Sequence, residues 1–132
     1  MAEFDATISA DWGDGEHRFR LGLAQLLELQ EKTGVGPMEL FFRVRSMRWR
    51  VEDITETLRL GLVGGGLKPA DAVALVRRYG PGARPLAESV PLVVEILAAA
   101  IVVPEAPPEG NGEAETETGV SPPPPFSDAA PS

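Results

Sequence analysis

Residues 3–21 read EFDATISADWGDGEHRFRL, and their alternation decides the fold. Phe4, Ala6, Ile8, Ala10 and Trp12 fall on one face of an extended chain, with Glu3, Asp5, Thr7, Ser9 and Asp11 on the other. A period of two belongs to a strand with one face covered. Asp14-Gly15 then supplies a strong hairpin turn signal. His17, Phe19 and Leu21 continue the inward face on the return, with Glu16, Arg18 and Arg20 outward. The stretch predicts a β-hairpin over 3–21, with Asp5 and Asp11 set against Arg18 and Arg20 across its outer face.

A lone hairpin is marginal in water and must cover something. The rest of the sequence offers helices for it to cover. The first is expected over 22–33, rich in Leu, Gln and Glu and closed by Thr33-Gly34. Pro37 suits the first position of a second, over 37–45, which carries Met38, Leu40, Phe41, Phe42 and Val44. A third over 51–63 sets Val51, Ile54, Leu58 and Leu62 on one stripe, has Glu52 and Asp53 in its first turn, and stops at Gly64-Gly65-Gly66. Pro69 opens a fourth over 69–79, with Ala72, Leu75, Val76 and Tyr79 at helical spacing. The last is expected over 85–102, where Pro91 should kink or split it. The fold class is therefore α+β: a hairpin followed by about five helices, in one small domain spanning 1–103.

Composition changes abruptly after that. Residues 104–132 hold 8 of the 13 prolines, and their only large apolar side chains are Val120 and Phe126. Such a segment buries too little surface to offset the entropy of ordering, which predicts a disordered acidic tail. The formal net charge is −8, but 14 acidic and 12 basic residues precede Pro104, whereas 6 acidic and no basic residues follow Val103. The domain itself is close to neutral, which argues against nucleic acid as a partner. There is no cysteine, so disulfides, thiolate metal sites and thiol nucleophiles are excluded. The start of the chain lacks the basic and apolar regions of a signal peptide. The longest apolar run, Ile96–Val103, is far short of the ~20 residues a membrane span needs. Neither a membrane partner nor export by a cleaved signal is expected, and the cytoplasm fits best.

Motifs for chemistry are few. His17 is the one histidine, and on the inner face of a strand beside Phe19 it reads as structural rather than catalytic. Asp11–Glu16 has some of the oxygens of a calcium loop but lacks the ligand spacing and the distal glutamate; a hairpin turn explains the same residues. Gly64–Lys68 precedes a helix start, yet a phosphate-binding loop follows a strand and carries Lys-Ser/Thr within its glycine frame. No catalytic, cofactor-binding or metal-binding residues are assigned, and neither an enzymatic role nor a small-molecule substrate is expected.

One cluster stands out: Arg43, Arg45, Arg48 and Arg50 with Trp49 among them. Together with Met38 and Phe42 it is the predicted partner-binding surface; of the adjacent Phe41 and Phe42, one is expected to face the core. Basic plus aromatic suits nucleic acid or an acidic protein. The helix pair over 51–79, with Arg77 and Arg78, raises a DNA-binding regulator as an alternative, but those arginines lie at the wrong end of the second helix for that motif. The opposite charges of tail and cluster suggest that the tail covers the cluster; a solvated tail is the plainer alternative.

The segments HRFRLGLAQLLELQEKTGVGPMEL, VEDITETLRLGLVGGGLKPADAVALVRRYG and PLAESVPLVVEILAAAIV together resemble a family of small proteins from gene transfer agents and long-tailed phages of α-proteobacterial type. The likeness covers about residues 4–103. It rests on the strand entering Leu21-Gly22-Leu23, the helix ending Lys32-Thr33-Gly34, and Leu60-Gly61-Leu62 closing on the glycine run. Members are described as tail tube proteins or tail assembly chaperones. The resemblance implies a non-enzymatic role, with the tape-measure protein and the tail tube protein as partners, in the cell or in the particle. A homo-oligomer is compatible with it. Tube subunits are generally β-rich, so the helical content favours a chaperone over a structural tail component.

Overall fold

The computed structural model describes residues 4–102; the acidic tail expected over 104–132 lies outside the described residues. Strands β1 (Ile8–Trp12) and β2 (Gly15–Phe19) form a two-stranded antiparallel sheet. Five α-helices follow: α1 (Leu23–Thr33), α2 (Pro37–Arg45), α3 (Val51–Gly64), α4 (Pro69–Tyr79) and α5 (Val90–Ile101). The fold is α+β. Among the described residues no helix is long and apolar enough to cross a membrane.

The hairpin is shorter than the alternation suggests. Asp5 Oδ1 accepts hydrogen bonds from the Thr7 backbone N–H at 3.0 Å and from its hydroxyl at 2.6 Å. That local turn withdraws the backbone from the ladder and leaves Phe4 69% exposed rather than inward. Register also corrects the expected cross-strand pairs. Asp11 faces Glu16, a like charge, while Arg18 faces Ser9; only Arg20 approaches its expected partner, with its Nε 4.0 Å from Asp5. The inner face holds, with Phe19 and Leu21 buried and Ile8, Ala10 and Trp12 packed on the core.

Helix α3 lies at the centre, against α1, α4, α5 and β2. Ile54, Leu58, Leu60, Leu62 and Gly61 are all buried, so it is enclosed around most of its girth rather than along one stripe. Val51, expected on that stripe, is 49% exposed at the first position.

The glycines that end α3 do more than stop it. A Cβ at Gly64 would fall on the carbonyl oxygen of Arg20, one at Gly65 on that of Arg18, and one at Gly61 would sit 3.3 Å from the Phe19 ring. The Arg20 N–H donates to the Gly61 carbonyl at 2.9 Å. The hairpin therefore lies directly on the helix backbone, an approach no other side chain permits.

The predicted last helix is split. Leu86–Ser89 is a turn of 3₁₀-helix, and α5 begins at Val90 with Pro91 in its first turn. There proline removes no needed hydrogen bond. Val90, Val93, Ile96 and Leu97 then complete the core, while Leu86 stays 38% exposed.

Candidate functional site

The segment joining α2 to α3 is where the predicted partner-binding residues gather. Helix α2 starts at Pro37 and buries Leu40, Phe41 and Val44. The same turn geometry sends Met38 and Phe42, one helical turn apart, outward. Of the adjacent aromatics, Phe41 is buried and Phe42 is 59% exposed. Arg45 follows on the Phe42 side, and its guanidinium lies 5.3 Å from the centroid of the Phe41 ring, in cation–π range.

The helix ends in a Schellman arrangement. The Met47 N–H donates to the Val44 carbonyl at 3.2 Å and the Arg48 N–H to the Arg43 carbonyl at 2.8 Å. This geometry places Met47 in the left-handed region at φ 63°. Glycine normally takes that position. The described glycines at Gly13, Gly34, Gly66 and Gly82 do so here, and Met47 is the only non-glycine residue with positive φ among those described. Its side chain is largely exposed.

Arg48, Trp49 and Arg50 then run exposed, half-buried, exposed, the alternation of extended chain. Trp49 packs on the core, and its indole N–H is buried without a hydrogen-bond partner. Such a group is rare in a settled interior. Arg50 caps α3 in extended conformation, and its N–H donates to Asp53 Oδ2 at 2.8 Å.

The four arginines divide. Arg43 turns inward: its Nε donates to Asp53 Oδ2 at 2.8 Å and its Nη2 to Asp53 Oδ1 at 2.8 Å. The Asp53 side chain is fully buried and that of Arg43 is 14% exposed. The hydrogen bonds to Asp53 hold the Arg43 pKa above its ordinary value, against the opposing effect of burial. Arg43 thus braces α2 against α3. Arg45, Arg48 and Arg50 are exposed, and none has a carboxylate within salt-bridge distance among the described residues. By contrast Arg59 pairs with Glu28 and Glu56, and Arg84 with Glu88.

Of the predicted residues, then, Met38, Phe42, Arg45, Arg48 and Arg50 are exposed along α2 and the loop that follows it, and Trp49 is half-buried. Sequence reading missed Met47 and Val51, which extend the exposed apolar part. The signal for Met47 was the absence of glycine after Arg45, where α1, α3 and α4 close on one.

A second feature lies at the hairpin turn. Trp12 packs edge-on against His17, Phe19 and Tyr79, and its Nε1 donates to the buried Ser89 Oγ at 3.4 Å. Trp12, Tyr79 and Ser89 border a cleft of about 360 Å³ that Arg84, Glu88 and Glu95 also line. His17 Nε2 lies 2.7 Å from Asp14 Oδ1, which ties the turn residue of the supposed calcium loop to the return strand. Gly64 and Gly65 face the hairpin carbonyls, so their contact is with acceptors, the opposite of a phosphate cradle.

A family model described as "Phage tail tube protein, GTA-gp10" matches residues 5–102. No curated protein and no solved structure gives a match.

Proposed function

The chain belongs to this family of phage and gene-transfer-agent tail proteins, and on that premise we propose that it acts as a non-enzymatic tail assembly chaperone. Its partners are the tape-measure protein, the tail tube subunit, or both, met in the host cytoplasm during tail assembly. The observation that carries this reading is the exposure of Met38, Phe42, Met47 and Val51, interleaved with exposed Arg45, Arg48 and Arg50, along the stretch 38–51. Exposed apolar side chains in one region mark an interaction surface rather than a solvated one. The arginines beside them favour a partner segment that carries carboxylates next to its apolar anchors. Transient binding of long amphipathic helices has these requirements.

The test is co-purification with the neighbouring tail proteins expressed together. Wild-type protein is expected to recover the tape-measure or tube protein at low salt. Phe42→Ser is expected to reduce recovery by about tenfold, the loss typical of an aromatic anchor, without changing the folded chain. Equal recovery by both would place the contact elsewhere.

A second reading, a structural tail component kept in the particle, is favoured by the family's description. It is favoured also by the outer edge of β1, which pairs with no further strand among the described residues. An unpaired edge can add a strand from a neighbour. Stoichiometric presence in purified particles would select it; absence would select the chaperone.

A further inference from the structure

We propose that the cleft bordered by the hairpin turn, the end of α4 and the start of α5 binds an arginine side chain presented by another protein. The cleft shares no residue with the stretch 38–51, and the inference does not rest on the assembly reading. Two aromatic residues line it. Trp12 and Tyr79 meet edge to face with centroids 6.2 Å apart, and both are half-buried, so part of each stays open. The walls are held before any ligand arrives. A Cβ at Gly13 would fall 2.6 Å from the Tyr79 ring, so the hairpin turn sits directly on that ring. The Arg84 backbone N–H donates to the Gly80 carbonyl at 3.0 Å, and its Nε donates to Glu88 Oε1 at 3.0 Å.

The ligand class follows from charge and size. Asp11, Glu88 and Glu95 all line the cleft. Arg84 neutralises Glu88, whereas Asp11 and Glu95 have no cation within salt-bridge distance among the described residues. Asp11 also faces Glu16 across the hairpin, a like-charge pair that costs stability until a cation joins it. Among the described residues no three acidic or histidine side chains converge closely enough to hold a metal ion, so the two carboxylates suit a broad organic cation instead. A guanidinium is planar, stacks on aromatic rings and donates to more than one carboxylate. The cleft's 360 Å³ is at the small end for ligand sites, which fits one long side chain rather than a folded segment. Ser89 lines the same cleft and is 5% exposed. Its hydroxyl oxygen accepts from Trp12 Nε1 at 3.4 Å, and its own O–H has no acceptor among the described residues. A main-chain carbonyl beside the arginine supplies one, so an arginine within a polypeptide fits better than a free cation.

The chain has two tryptophans, and only Trp12 lines the cleft. Their indole resonances therefore give a reporter and an internal control in the full chain. The probe is the tripeptide Gly-Arg-Gly blocked at both ends, beside its citrulline counterpart, which keeps the shape and lacks the charge. At low salt the arginine peptide is expected to shift the Trp12 resonance saturably in the millimolar range and to leave that of Trp49 in place. The citrulline peptide should bind about tenfold more weakly. Asp11→Asn with Glu95→Gln should weaken the arginine peptide by about fivefold; both side chains are exposed, so the folded chain is kept. No shift of Trp12, equal affinity for the two peptides, or unchanged affinity in the double variant would overturn the proposal. So would a Trp49 shift as large as that of Trp12. A Trp12 resonance that moves with protein concentration alone would overturn it in favour of a second copy as the occupant.

Discussion

At its C-terminal end α3 presses Gly61, Gly64 and Gly65 onto the hairpin backbone; at its N-terminal end it rises from a loop of arginines, a methionine and a tryptophan. The first end is covered on one side by the hairpin backbone. The second is closed only on its inner side, where Arg43 and Asp53 join α2 to α3. The difference separates two uses of unusual residues. Glycine at the hairpin end serves close packing, and its value is stability. Methionine in a glycine conformation at the other end carries a backbone cost that glycine would not.

The sharpest way to break this contrast is Asp53→Ala. It leaves the Arg43 guanidinium without its carboxylate and removes the acceptor of the Arg50 N–H. A loss of about 3–5 kcal/mol is expected in urea unfolding, the cost of opening a buried pair from one side. A loss below about 1 kcal/mol would mean that the inner side of the loop is as loose as its outer side.

Next in size is Gly64→Ala, which drives a methyl group into the Arg20 carbonyl. About 1–3 kcal/mol or more should be lost, and hairpin amides should exchange faster than those of α1. Met47→Gly should move stability the other way, by about 1 kcal/mol, because the left-handed strain disappears. The same substitution should weaken recovery of the partner, so stability and binding change in opposite directions. If Gly64→Ala and Met47→Gly moved thermal unfolding alike, the distinction between the two ends would be lost.

The smallest effect lies at the outer edge of the hairpin. The hydrogen bonds from Thr7, with a weaker contribution from Arg20 and Arg18, hold the Asp5 carboxyl below its ordinary pKa. A lowered carboxyl stabilises the fold above its unfolded pKa, and that contribution fades as pH falls through the lowered value. Because Asp5 is solvent-exposed, the change should be visible by NMR titration and barely visible in stability. Thr7→Ala should return the midpoint towards that of a free aspartate.

What the sequence made legible follows from local rules. Strict alternation and Asp14-Gly15 announce the hairpin, and Pro37, Pro69 and the glycines after α1 and α4 announce helix limits. What stayed hidden depends on partners distant in sequence or on backbone geometry. Nothing in the cluster distinguishes Arg43 from Arg45; the difference is a carboxylate ten residues on that the packing of α2 and α3 brings within 2.8 Å. Gly64-Gly65-Gly66 reads as a stop, because the hairpin that lies on it comes from two helices earlier in the sequence. Asp5 breaks the alternation by bonding to its own neighbour, which a period of two cannot register. Pro91 reads as interior to a helix until the preceding turn is seen to be 3₁₀.

The seat of the hairpin on α3 also has a meaning during synthesis. The hairpin is synthesised before the five described helices, yet its surface of attachment is made only after α1 and α2 have followed it. A two-stranded sheet without that support is barely stable, so the hairpin, though made before the helices, should be among the last elements to settle. Nascent chains stalled before Gly61 should show no protected hairpin amides, and chains stalled well beyond Gly65 should show them. Protection in the shorter chains would mean that the hairpin forms unaided.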